Sequence, residues 1–162
     1  MRPAFECAQC GNSRPLLSEA CPACASIEVP YAHVESWRVD LEKGAPTVDE
    51  AMEYLNRAIR VGAAAGLRAL IIVHGYGSSG AGGRIGLSAR ERLASNHWAD
   101  RVDEFICCEE LTRNSPQLTH LCRHRTALAE ELRRSRMLGN AGATILMLSR
   151  QGHAQSTDID DA

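Results

Sequence analysis

Four of the seven cysteines in this 162-residue chain form two Cys-x-x-Cys pairs near its start. The first pair is Cys7 and Cys10, and the second pair, ten residues further along the chain, is Cys21 and Cys24. Two such pairs at this distance are typical of a short ribbon in which four thiolates bind one metal ion tetrahedrally. The pattern predicts a structural Zn²⁺ site. Iron held by the same four ligands is the alternative that the sequence leaves open.

The composition of the predicted ribbon, about residues 1–30, explains why it needs a metal. A segment this short that contains four prolines cannot bury enough apolar surface to fold alone. Metal binding then has to supply the missing folding free energy. Because four cysteine ligands leave no open coordination position, we expect a structural platform rather than a catalytic centre. The other three cysteines are predicted to be buried, reduced thiols: Cys107, Cys108 and Cys122.

A second segment with chemical potential is the glycine-rich run of residues 74–84. It follows the apolar run 69–73, which predicts a central strand, and it precedes a segment of helical periodicity. Glycines let backbone amides approach an oxyanion closely, and the next helix N-terminus adds partial positive charge. The order strand, glycine loop, helix therefore predicts a phosphate-binding loop, and a turn without a ligand is the alternative. The expected phosphate contacts are Gly75, Gly77, Gly80 and Arg84.

The rest of the chain, about residues 31–150, alternates between strand and helix patterns, which is typical of a mixed α/β domain. A capping box that starts at Thr47 opens the first helix, and Gly66 ends it. Short apolar or alternating runs predict three more strands. These strands span residues 36–41, 102–107 and 143–148.

A long insertion of about residues 109–138 separates the last two predicted strands. Ser115 and Pro116 predict the start of a helix that continues to about residue 136. At 100° per residue, leucines occupy one side of this helix, and Arg123 and Arg134 project from the opposite side. The two arginines predict a further phosphate contact, and an ordinary solvated face is the alternative.

The charges are unevenly distributed along the chain, whose formal net charge is −2. Residues 84–150 carry 11 basic and 8 acidic residues, an excess of three positive charges. The tail, residues 151–162, carries three acidic and no basic residues and is predicted to be disordered. The second half therefore has the charge of a nucleic-acid-binding surface, although the net charge alone argues against one. We expect a cytoplasmic protein without a membrane segment or signal peptide.

The sequence also contains three characteristic stretches, Thr47–Arg68, Ile71–Gly77 and Gly139–Ile145. Together they resemble the Smr (small MutS-related) domain family over roughly residues 36–149. The resemblance implies a compact two-layer α/β sandwich, similar to the C-terminal domain of bacterial translation initiation factor three, preceded here by the small zinc ribbon. It also implies nucleic-acid binding, with endonuclease activity on structured DNA or RNA in several members.

The resemblance further implies a set of catalytic residues. The family's motif Leu-Asp-Leu-His-Gly corresponds here to Val39–Gly44, which keeps Asp40 and has Glu42 where the histidine would stand. The family's His-Gly-x-Gly-x-Gly motif appears with one extra residue and keeps His74. In such an endonuclease His74 would handle the proton, and Asp40 would orient it or bind Mg²⁺ or Mn²⁺. Glu42 would replace the absent histidine as a base or metal ligand.

A noncatalytic RNA- or ribosome-binding module is the alternative function. It is favoured by the missing histidine, by the added ribbon and by the arginines of the insertion. Because the chain has only seven aromatic residues, recognition through the backbone and shape of the nucleic acid is expected rather than base stacking. The sequence does not distinguish DNA from RNA as the partner.

Overall fold

A computed structural model describes residues 1–76 and 83–150 of the chain. In chain order its elements are β1 (Phe5–Glu6), β2 (Tyr31–Ala32), β3 (Ser36–Asp40), α1 (Val48–Ala65), β4 (Ala69–Val73), α2 (Arg84–Ala94), β5 (Val102–Cys107), a 3₁₀ turn (Cys108–Glu110), α3 (Pro116–His124), α4 (Thr126–Arg134) and β6 (Ala143–Leu148). Among the described helices, none combines the length and the apolar character needed to cross a bilayer. The predicted tail and the predicted contacts Gly77 and Gly80 lie outside the described residues.

The four longer strands form one mixed sheet in the order β3-β4-β6-β5. β3 and β4 are parallel, and α1 is the crossover that connects them, whereas β6 is antiparallel to both β4 and β5. Asp40 is paired with Val73, and Val73 is paired with Ala143. The last residues of β3 and β4 and the first residue of β6 therefore meet at one end of the sheet, which we call the loop end.

Helices cover both faces of this sheet. α1 and α2 pack on the face that carries Leu70 and Ile72, and α3 and α4 pack on the face that carries Ile71 and Ile145. Side chains of a strand alternate between the two faces, so β4 and β6 contribute to both cores. The mixed α/β class predicted from the sequence is confirmed. The predicted two-layer arrangement is wrong, because the insertion packs on the sheet as a third layer.

The insertion contains two short helices instead of the single predicted helix. Its start is as expected, because the Ser115 side chain accepts a hydrogen bond from the Leu118 amide. The helix is interrupted at Arg125, whose φ of −139° and ψ of 56° are not helical. A straight helix of 20 residues would be about 30 Å long, longer than a six-residue strand of about 20 Å. The break keeps leucines such as Leu121 and Leu132 over the sheet.

The ribbon packs against the α/β domain through shared apolar contacts. Its strands β1 and β2 pair antiparallel, so its own sheet reaches Ala32, two residues past the predicted boundary. Phe5 belongs to the core formed by α1 and meets the ring of Trp37 edge-on, with 4.8 Å between the ring centroids. Arg57 of α1 donates a hydrogen bond to the carbonyl of Leu17. The metal-binding segment is therefore anchored on the helix layer.

Arg14 organises the interior of the ribbon, a role that was not predicted from the sequence. Its side chain is only 3% exposed. The guanidinium donates to the carbonyl oxygens of Ser26, Glu28 and Ser18 at 3.2, 2.7 and 2.8 Å. Arginine has five N–H donors in a planar fork, so one side chain can bind carbonyls from several turns. Arg14 thus replaces part of the hydrophobic core that so small a segment lacks.

Candidate functional site

The four ribbon cysteines lie together, as their spacing predicts. All four Sγ atoms lie within 4.8 Å of one another, and the Cys7–Cys24 and Cys10–Cys21 pairs are each separated by 3.7 Å. A tetrahedral Zn²⁺ with four bonds of about 2.3 Å to sulfur requires sulfur–sulfur distances of about 3.8 Å. The observed spacing is therefore compatible with a zinc site closed by four thiolates.

The two Cys-x-x-Cys pairs adopt the same turn. In the first turn the amide of Cys7 donates to the carbonyl of Asn12, and the amide of Gly11 donates to the carbonyl of Cys7. The same two hydrogen bonds recur in the second turn, where Ala25 occupies the place of Gly11. Both residues are left-handed, with φ of 73° at Gly11 and 61° at Ala25. The second turn therefore carries backbone strain that glycine avoids in the first.

Backbone amides around the sulfur atoms favour thiolates. The amide of Cys10 lowers the pKa of Cys7 to about 6, and the amide of Asn12 lowers the pKa of Cys10. The amide of Ser26 also acts to lower the pKa of Cys24. Burial and the other three sulfur atoms outweigh it and raise that pKa to about 12. Four thiolates this close repel one another, and a bound cation relieves the repulsion.

The three predicted catalytic residues come together at the loop end of the sheet. Asp40 ends β3 and is paired with Val73, the residue before His74. The carboxylate of Glu42 lies against Gly75, since a Cβ added to Gly75 would be 2.3 Å from its Oε2 atom. Asp40 accepts a hydrogen bond from the amide of Glu42 at 2.9 Å, and both acidic residues are exposed. Gly75 is favoured here by its φ of 67°, whereas an added Cβ would only displace the exposed carboxylate of Glu42.

His74 differs from the two carboxylates because it is buried, with 2% exposure. Its Nδ1 lies 3.1 Å from the carbonyl oxygen of Gly75, which can only accept, so Nδ1 carries the proton. Its Nε2 lies 3.0 Å from the hydroxyl oxygen of Thr144 and accepts that hydroxyl's proton. Arg90 in turn donates from Nε to the same hydroxyl at 3.3 Å. Both ring nitrogens are therefore engaged inside the protein.

Arg90 links this histidine to a carboxylate on a third element. Its Nη1 and Nη2 donate to the two carboxylate oxygens of Glu109 at 2.7 and 2.8 Å, and Nη2 also donates to the carbonyl of Ala141 at 3.3 Å. None of the three residues Arg90, Thr144 and Glu109 was predicted from the sequence. They lie on α2, β6 and the 3₁₀ turn, and no local spacing connects them.

The surroundings of His74 favour its neutral form. Burial lowers the pKa of His74, and the charge of Arg90 lowers it further. The hydrogen bond to Gly75 and the charge of Glu109 act in the opposite direction but do not compensate. The first turn of α2 lies directly against the ring, because a Cβ added to Gly86 would be 2.5 Å from Nδ1. His74 thus links the end of β4 to β6 and to the first turn of α2.

The predicted phosphate-binding arginines lie in two different regions. Arg84 is exposed as the first residue of α2, the helix whose first turn contacts His74. Arg123 and Arg134 are exposed on α3 and α4. Arg134 lies 3.4 Å from a carboxylate oxygen of Glu131 on its own helix. The structure therefore places Arg84 at the loop end and the other two arginines in the third layer.

Comparison of the chain with protein-family models, with curated proteins and with solved structures gave no significant match. The resemblance to the Smr family stays a prediction, supported by three stretches of the sequence. What the protein does has to be inferred from the chemistry of its own residues.

We expect substitutions at the two left-handed ribbon residues, Gly11 and Ala25, to have different effects on zinc affinity. Gly11→Ala adds a Cβ to a left-handed residue and should weaken zinc binding by roughly threefold or more, because this strain costs about 1 kcal/mol. Ala25→Gly removes the strain and should leave binding equal or tighter. A steric clash does not contribute to the effect at Gly11, because an added Cβ would contact only Oε1 of Glu6, at 3.9 Å. Competition with a colorimetric zinc chelator measures both variants, and parallel shifts would contradict the expectation.

We also expect the free energy of unfolding to depend on pH through His74. Folding holds the pKa of His74 below its ordinary value of 6.5, so the unfolded chain takes up a proton that the folded chain excludes. The stability linked to this group is complete above about pH 6.5 and is lost as the pH falls, by at most about 1.4 kcal/mol per pH unit. The stability difference between the wild type and His74→Gln should therefore shrink from pH 7 to pH 5.

Urea unfolding with constant zinc measures this difference, and His97→Gln, at an exposed histidine, is the matched control. A pH trend of the same size in both variants would show that His74 is not responsible.

Proposed function

We propose that this protein binds nucleic acid by contacting the phosphate backbone with the outer surface of α3 and α4. The observation that carries the proposal is a set of four exposed arginines on and just after these helices, which we call the outer arginine row. The row consists of Arg123, Arg133, Arg134 and Arg136. Guanidinium groups bind phosphate oxygens through paired hydrogen bonds, and this attraction does not depend on base sequence.

The carboxylates of the insertion offset little of this charge. Residues 109–138 contain six arginines and four glutamates. Glu109 already binds Arg90 through both of its carboxylate oxygens. In the described part of the chain, Arg134 is the one member of the outer arginine row with an ion pair, which it forms with Glu131 at 3.4 Å. A positive surface of this kind attracts nucleic acid although the whole chain is slightly negative.

Backbone contact is favoured over base stacking by the composition of the insertion. Residues 109–138 contain no phenylalanine, tyrosine or tryptophan. His120 and His124 lie one turn apart on α3, with 4.6 Å between their ring centroids, and both are exposed. We therefore propose duplex DNA or structured RNA, including ribosomal RNA, as the partner class.

The noncatalytic form of this function is favoured by the position of His74. A general acid or base has to reach the reacting group directly or through one water molecule. The side chain of His74 is 2% exposed, and its two nitrogens are engaged by Gly75 and Thr144. A backbone-binding surface needs no such group, and the outer arginine row is accessible.

Endonuclease activity is a second candidate, and the exposed carboxylates at the loop end favour it. Glu42 lies beside Gly75, Asp40 is paired with the residue before His74, and Arg84 lies at the start of the helix that contacts His74. Carboxylate oxygens are ligands for Mg²⁺ or Mn²⁺, which would activate a water and stabilise charge on the phosphoryl group. Among the described residues only the ribbon groups three or more metal-ligating side chains. A divalent ion here would therefore rely on water or substrate oxygens for its remaining ligands.

The binding proposal predicts a charge-specific loss of affinity in the double variant Arg123→Gln/Arg134→Gln. Loss of two phosphate contacts should weaken binding about tenfold or more and reduce the slope of log K against log[salt] by about 2. Arg2→Gln/Arg60→Gln, at exposed residues outside the insertion, is the control with the same change in charge. Fluorescence anisotropy with duplex DNA and hairpin RNA across NaCl concentrations measures both. Equal losses in the two double variants would contradict a specific surface.

The endonuclease candidate predicts cleavage that depends on the loop-end carboxylates. Asp40→Asn/Glu42→Gln should abolish cleavage of branched DNA or structured RNA in the presence of Mg²⁺ or Mn²⁺. The affinity of this double variant for nucleic acid should change by less than about threefold. Glu53→Gln, at an exposed position of α1, is the control. Gel analysis of end-labelled substrates detects the products. Cleavage that persists in the double variant, or that no metal ion supports in the wild type, would rule out this candidate.

A further inference from the structure

Three arginines lie on segments that come together at the end of the sheet opposite the loop end. Arg68 directly precedes β4, Arg125 separates α3 from α4, and Arg150 follows β6. The amide of Arg68 donates to the carbonyl of Glu35, and the amide of Leu148 donates to the carbonyl of Arg68, both at 2.9 Å. Backbone pairing therefore fixes the chain positions of these residues relative to one another.

Glu35 provides the carboxylate of this arginine cluster. Its Oε1 lies 3.4 Å from Nη1 of Arg125, longer than the usual 2.7–2.9 Å of a charge-assisted hydrogen bond. In the described part of the chain, this is the one ion pair that any of the three arginines forms. Burial lowers the pKa of Arg68, the charges of Arg125 and Arg150 lower it further, and Glu35 raises it. The positive charges at this end of the sheet therefore outweigh the negative charge.

An unpaired donor marks the same cluster. Nε of Arg68 is buried and has no hydrogen-bond partner among the described residues, and no other side-chain nitrogen or oxygen in that part of the chain shares this condition. Buried polar atoms are nearly always paired, because leaving one unpaired is unfavourable. An additional acceptor at this position, such as an oxygen of an anion, would satisfy Arg68.

A groove of about 350 Å³ gives access to this end of the sheet. It runs between the edge strand β3 and helix α4, and its wall includes Glu35, Glu131 and the exposed residue Arg38. The groove therefore leads to Glu35, the carboxylate that pairs with Arg125.

We propose that Arg68, Arg125 and Arg150 form a binding site for a phosphate dianion, either free phosphate or the terminal phosphate of a larger molecule. A phosphomonoester carries nearly two negative charges at pH 7 and would pair with arginines that have no ion-pair partner among the described residues. Its oxygens accept paired hydrogen bonds from guanidinium forks. The site includes no member of the outer arginine row and lies at the end of the sheet away from Asp40. It is therefore independent of the proposed function.

Isothermal titration calorimetry of the full chain with inorganic phosphate, at constant ionic strength, tests the site. The wild type should bind one phosphate saturably, and Arg125→Gln and Arg150→Gln should each weaken binding about tenfold or more. Arg60→Gln, an exposed arginine on α1, removes the same charge and should leave binding unchanged. Glu35→Gln should tighten binding, because it removes the carboxylate that competes for Arg125. Thermal melting without phosphate confirms that the variants are folded.

The absence of saturable phosphate binding in the wild type would overturn the proposal. Equal binding by Arg125→Gln, Arg150→Gln and Arg60→Gln would also overturn it. Competition with 5′-phosphorylated and 5′-hydroxyl oligonucleotides then distinguishes free phosphate from a terminal phosphate as the ligand. Displacement of phosphate by the phosphorylated strand alone supports a terminal phosphate as ligand, and displacement by neither strand supports free phosphate. A variant of the outer arginine row that loses nucleic-acid affinity but keeps phosphate binding separates this site from the proposed function.

Discussion

The two central strands, β4 and β6, are apolar on both faces, and the rest of the structure follows from the need to cover them. Their side chains alternate between two cores, so one layer of helices leaves half of them in water. The helices α1 and α2 cover one face. The insertion covers the other face, and the break at Arg125 fits its leucines onto strands that are shorter than a straight helix would be. The third layer also presents arginines on its outer side.

Burial of the central strands also determines the chemistry of the loop end. Thr144 is completely buried within β6, and His74 is nearly so, which makes unpaired polar groups at either residue costly. They satisfy each other, and Arg90 extends the network to Glu109. His74 therefore contributes to the stability of this end of the sheet. The same end leaves the side chains of Asp40 and Glu42 exposed.

Local charge is more informative than net charge in this protein. Several arginines are engaged within the fold: ribbon carbonyls accept hydrogen bonds from Arg14, and Glu109 forms an ion pair with Arg90. Two other groups of arginines underlie the proposals, one on the outside of the insertion and one around Arg68. A phosphate backbone suits the first group, whose four arginines are exposed. A compact dianion suits the second, where guanidinium groups outnumber carboxylates around a single buried donor.

The sequence by itself determined the features that depend on neighbouring residues. The cysteine spacing identified the four-thiolate cluster, and the capping residues Thr47 and Ser115 fixed where two helices begin, because these interactions span only a few residues. Tertiary structure alone decided that the insertion forms a third layer, that His74 is buried, and that Arg68 lies near Arg125. Each of these depends on contacts between segments far apart in the chain. These contacts depend on which faces of the helices and strands pack together, and local periodicity does not specify this packing.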